Sequence, residues 1–193
     1  MALGRPREFD TDLALDRALE VFRRTGYEGA SIADLTGAMG INAPSLYAAF
    51  GNKEALFRKA LDRYTEKLGF WTEALAEPTA RRVVERLLYS TADFMTDECG
   101  PRGCLFVRGA LSCGESTESI RTELETRRVA AEAGLRERFE RAKLAGELPD
   151  CDTGDLARYV MTVLEGITLR AAGGARRDEL RKVADMALRA WPS

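Results

Sequence analysis

Along most of the chain the apolar residues recur three or four positions apart instead of alternating, and glycine and proline cut that pattern into lengths suited to helices. Leu15, Ala18, Leu19 and Phe22 fall on one stripe, entered from Asp10 or Thr11 and stopped at Gly26, which predicts a first amphipathic helix. Ser31 and Asp34 have capping-box spacing at the start of a second helix, with Ile32, Leu35 and Met39 as its buried face and Gly40 as its left-handed end. Asn42 is placed to cap a short third helix. Pro44 stands in its first turn, where a missing N–H costs little, and Leu46 and Phe50 are its inward residues. Gly51 closes that helix, and Asn52 caps a fourth with Leu56, Phe57, Leu61 and Tyr64 facing in. Three helices and a longer one, with a tight glycine turn between the second and third, make a helix-turn-helix arrangement.

From about residue 80 the pattern lengthens. Helices are predicted over 83–98, 104–113, 117–145, 153–172 and 176–191, broken at GPRG, GES, GELPD and GG. Leu156, Tyr159, Val160, Val163, Leu164 and Ile167 give the fourth of these an apolar face wide enough to need more than one neighbour. The expectation is an all-α chain. A three-helix helix-turn-helix domain, 1–64 including an arm at 1–9, would be joined through the fourth helix to a C-terminal helical domain, 65–193.

Composition changes the picture mainly by exclusion. At 193 residues, 45% apolar and 31% charged, the chain reads as globular. It has no apolar run of membrane-spanning length, and the opening MALGRPREFD lacks the apolar stretch of a signal peptide, so a cytoplasmic location is expected. There is no histidine, which removes histidine-based triads, histidine-ligated metals and imidazole pH switching. Cys99, Cys104, Cys113 and Cys151 follow no CxxC spacing, so neither structural zinc nor a disulfide framework is expected. No nucleophile–base pair can be assembled from what remains. No enzyme activity, cofactor or metal is predicted.

The ordered set Gly26-Tyr27, Ser31, Gly40-Ile41, Leu46-Tyr47-Ala48-Ala49-Phe50 and Asn52-Lys53-Glu54-Ala55-Leu56 resembles the DNA-binding domain of the TetR/AcrR transcriptional regulators over residues 11 to 64. Beyond it the likeness is one of architecture, with PRGCL at 101–105 similar to one AcrR-type branch. The resemblance implies a DNA-binding regulator, most often a repressor, with Ser31, Asn42, Ala43, Pro44, Ser45, Tyr47, Ala48 and Lys53 at the DNA. Those residue types suit the task. Asn42 and Ser45 are short donors, Ala43 and Ala48 can pack on thymine methyls, and Tyr47 and Lys53 can reach backbone phosphates. The helix start at Ser31 adds amides for another phosphate. Many relatives carry lysine at the position of Ala43 and an aromatic or histidine at those of Ala48 and Ala49, so this helix makes fewer strong contacts. Arg5 and Arg7 on the N-terminal arm are candidates to compensate from a neighbouring minor groove. Charge gives only partial support, since residues 1–64 hold nine basic and nine acidic side chains, although 37–52 contain no acid.

The resemblance also implies a homodimer through the last two helices on a palindromic double-stranded operator, because one short helix reads too few bases. It further implies a small-molecule effector held by the middle helices. Phe70, Trp71, Phe94, Met95, Phe106, Met161 and Leu164 are the candidate lining, with Arg108 and Glu165 as polar handles. Such a pocket would be largely apolar. The competing trigger is an oxidant or electrophile acting on Cys104, whose thiol follows a Pro-Arg-Gly turn beside Arg102.

Overall fold

Asp10 starts the first helix by accepting hydrogen bonds from the amides of Asp12 and Leu13 at 2.9 and 3.1 Å. These amides open a computed structural model that describes residues 9–97, 104–106 and 118–192. Arg5, Arg7, Cys99, Arg108, Cys113 and most of the helix expected over 104–113 lie outside the described residues. Within the described ones there are nine helices and no strand, as the periodicity predicts. The chain divides into two compact units at the Lys67–Leu68 junction.

The first unit holds α1 (Thr11–Gly29), α2 (Ile32–Met39), α3 (Ala43–Phe50) and α4 (Lys53–Lys67). Helix α1 loses its helical geometry at Gly26, where its end was expected. It kinks there, at φ 76° and ψ −179°, and runs on to Gly29. The capping box of α2 forms in both directions: Ser31 Oγ accepts from the Asp34 amide at 3.0 Å, and Asp34 accepts from the Ser31 amide at 3.1 Å. Gly40 ends α2 at φ 70°, a conformation that any side chain would strain. Asn42 caps α3 through Ser45 N at 2.9 Å, and Asn52 caps α4 through Ala55 N at 2.8 Å.

At eight residues α2 and α3 are too short to hold themselves in water. Burial holds them: Leu35, Leu46 and Phe50 go into a core with Ala18, Leu19 and Phe22 of α1 and Leu56, Phe57, Leu61 and Tyr64 of α4. Each fully buried large apolar side chain contributes roughly 1.5–3 kcal/mol. Helix α1 packs on both α2 and α4, with Phe22 and Phe57 edge to face at 4.9 Å. Leu15, expected inside, is only half-buried. An ion triad also ties α1 to α4, in which Asp16 meets Arg63 at 3.0 Å and Lys67 at 2.9 Å.

The second unit holds α5 (Phe70–Leu75), α6 (Ala80–Met95), α7 (Glu118–Leu144), α8 (Thr153–Ala172) and α9 (Arg177–Arg189). Helix α6 packs against α5, α8 and α9, and α7 lies against α8. Their common core includes Val83, Leu87, Leu88, Leu135, Phe139, Val160, Ile167 and Trp191. Helix α6 begins three residues before the expected start, because Thr79 caps it by accepting from Arg82 N, and it ends at Met95 instead of 98. Arg138 of α7 is buried and donates to the carbonyls of Glu77 and Pro78 at 3.1 and 3.2 Å, fixing the connection into α6. No helix among the described residues is long and apolar enough to cross a membrane.

Candidate DNA-binding surface

Helix α3 is two-faced. Leu46 and Phe50 are buried, while Pro44, Tyr47, Ala48 and Gly51, spaced three and four apart, are exposed; Ala43, Ser45 and Ala49 sit at the edges, half-buried. The outward stripe carries no charge and little bulk apart from Tyr47, which is 48% exposed. Such a surface can come close to base edges without burying an unpaired ion.

The polar candidates stand at the starts of α2, α3 and α4. Asn42 is exposed at the start of α3. Its carbonyl oxygen is committed to the Ser45 amide, so what it can offer a base or phosphate is its –NH2. Ser31 is exposed, but its hydroxyl both accepts from the Asp34 amide and donates to Asp34 Oδ2 at 2.6 Å. That hydroxyl bond, followed by the bond from the Ser31 amide, holds the Asp34 carboxyl below its ordinary range. The contribution of α2 to an anion therefore reduces to the amides of Ile32 and Ala33, next to a charged carboxylate. Lys53 opens α4, half-buried, with its ammonium 4.6 Å from the centroid of the Tyr27 ring. Burial pulls its pKa below the ordinary lysine value, and Glu28 acts in the opposite sense.

A concavity of about 530 Å3 lies at the start of α3, lined by Phe9, Thr36, Gly37, Gly40, Ile41, Asn42 and Ser45. Phe9 brings the chain just after Arg7 to this end of the helix. Arg17 on α1 reaches the same turn: its guanidinium donates to the Met39 carbonyl at 3.5 Å, beside Gly40. The sequence pattern gives no hint of Arg17 or of the Tyr27–Lys53 contact, because both pairings join residues more than twenty positions apart.

The residues expected around an effector are spread through the second unit. Met95, Met161 and Leu164 are buried in its core, and Trp71 and Phe94 pack partly buried against it. Phe70 and Phe94 meet with ring centroids 5.8 Å apart, and Phe106 is half-buried. Glu165 pairs with Arg128 of α7 at 3.4 Å, so its carboxylate already has a cation. Cys104 is half-buried against the same core. Among the described residues no group of three or more Cys, Asp and Glu side chains is arranged to hold a metal ion.

Residues 14–60 match the family model described as "Bacterial regulatory proteins, tetR family", and residues 80–187 match a tetracyclin repressor-like C-terminal domain. The chain is 34% identical over 193 residues to the HTH-type transcriptional repressor ComR of Escherichia coli (strain K12), covering 98% of this chain and 92% of that one. It is 30% identical over 192 residues to the HTH-type transcriptional repressor BdcR of the same organism, covering 95% and 90%. Among solved structures, a cysteine mutant of the TetR family regulator CifR complexed with 26bp double-strand operator DNA superposes with a TM-score of 0.93. That chain is 45% identical, with 97% of this chain and all of that one covered. The chain belongs to the tetR family of bacterial regulatory proteins, and it is a helix-turn-helix DNA-binding transcriptional regulator, not an enzyme.

Proposed function

We propose that the protein is a repressor that binds a palindromic double-stranded operator as a homodimer and is released by a small, largely apolar effector. The observation that carries this reading is the outward face of α3, small and neutral along Pro44, Ala48 and Gly51, with Tyr47 standing on it and Lys53 opening the next helix. In the complex α3 lies in the major groove. Ala43 and Ala48 pack against bases, Asn42 and Ser45 donate to base edges, and Tyr47 and Lys53 hold the backbone, with Arg5 and Arg7 reaching the neighbouring minor groove. The repressor names and the operator complex of the relatives support the direction of regulation.

The dimer reading is supported by apolar side chains that α8 and α9 leave exposed. Tyr159 and Leu169 on α8 are 40% and 53% exposed, and Val183 and Met186 on α9 are 45% and 60% exposed. The effector reading is supported by the partly buried rings of Phe70, Trp71 and Phe94 at the edge of the second core. A molecule that binds the DNA-free form more tightly draws the protein off its operator by that affinity difference.

Selection of genomic fragments by the purified protein tests the reading. The expected result is one inverted-repeat sequence bound in stoichiometric pairs of protomers. Failure to enrich any sequence would overturn it. Release of the bound fragment is then measured against small apolar molecules and against oxidants. Release by oxidant alone, lost in Cys104→Ser, would assign the trigger to the thiol.

A further inference from the structure

Lys53 stands where a cation is disfavoured. It is the first residue of α4, at the positive end of the helix dipole, and it is half-buried. The Glu28 carboxylate favours its charge through space. What the lysine meets is the face of Tyr27, with the nitrogen 4.6 Å from the ring centroid. That ring is itself held in place. It stands edge to face with Phe57 at 5.1 Å and stacks towards Phe22 at 6.5 Å, and both of those rings are fully buried.

A carboxylate would neutralise the lysine, whereas an aromatic face attracts the ammonium and leaves its charge available to an anion. A lysine already held in place also loses less side-chain freedom when the anion arrives. We propose that Tyr27 is a positioning residue for DNA binding: its ring holds the Lys53 ammonium beside the end of α3, ready for a backbone phosphate. The inference rests on the reading of Lys53 as a phosphate donor, and it adds the residue through which the fold presents that donor.

The test measures binding of the full-length protein to a labelled random-sequence duplex, where backbone contacts dominate, over a range of salt concentrations. Lys53→Gln is expected to weaken binding about five- to tenfold at low salt and to lower the salt slope by about one per protomer. Tyr27→Phe keeps the aromatic face and is expected to bind as wild type. Tyr27→Leu is expected to lose about threefold, the range of a partly exposed cation–π contact, and to cause no further loss when Lys53 is already glutamine. Tyr27→Met serves in its place if the leucine variant does not fold.

If Lys53→Gln changes neither affinity nor slope, the phosphate reading of Lys53 fails and the role of Tyr27 falls with it. If Lys53→Gln behaves as expected, two results overturn the Tyr27 proposal alone. One is wild-type binding by Tyr27→Leu, and the other is an equal loss from Tyr27→Leu with or without Lys53. Either would leave Tyr27 as a packing residue.

Discussion

Tyr47 and Ser45 are two positions apart on α3 and have different surroundings. Tyr47 is nearly half exposed, while Ser45 is half-buried beside the concavity at the helix start. Tyr47→Ala is expected to weaken binding to every DNA sequence about five- to tenfold, as loss of a backbone contact does. Ser45→Ala is expected to change which base is preferred at one position of the operator, by roughly 1–3 kcal/mol. Binding curves on the operator and on single-base variants distinguish the two, and a uniform loss from both substitutions would refute the division. At this scale the caps were legible, because Ser31, Asn42 and Asn52 each bond an amide three residues on, inside a window the sequence displays. The same window does not show that the Ser31 hydroxyl is doubly committed to Asp34, which depends on side-chain geometry. Nor does spacing place Lys53 over Tyr27, a contact made only once α1 and α4 have packed.

Elements were legible in proportion to their punctuation. Helices α2, α3 and α8 have polar side-chain caps and were placed closely. Helix α5 is six residues long with no side-chain cap, and its sequence gives no periodic stripe, so it was missed. The clamp between α1 and α4 was equally invisible, since Asp16 and Arg63 are 47 positions apart. It is open to measurement through pH. The hydrogen bond from Arg63 is the largest influence lowering the Asp16 pKa, opposed by burial and joined by the bond from Lys67. A depressed carboxyl pKa stabilises the fold fully above the unfolded value, ordinarily 3.8, and that contribution is lost as pH falls through the lower folded value. Asp16→Asn is therefore expected to lower the melting temperature by about 2–4 °C near neutral pH. The difference from wild type should vanish in strongly acidic solution. A gap that persists there would mean that the asparagine disturbs packing instead of an ion pair.

At the scale of the whole molecule, the chain divides into two compact units at the Lys67–Leu68 junction, and glycine is about as frequent in the second as in the first, so glycine spacing alone does not mark the boundary. The exposed apolar positions of α8 and α9 were not separable by sequence from their core-facing neighbours, since both kinds interrupt the same wide face. Leu169→Glu places a charge among them and, under the proposed dimer, should give a monomer by light scattering and at least about a tenfold loss of operator affinity. Unchanged mass would place the interface elsewhere. The kink at Gly26 has a consequence for heredity. Its φ of 76° with ψ of −179° belongs to a region that essentially only glycine enters, and the next residue is Tyr27. A genetic selection for alleles that derepress a reporter should return Gly26 substitutions alongside changes in α3. The protein accumulated from those alleles should be folded, and dimeric under the proposed reading.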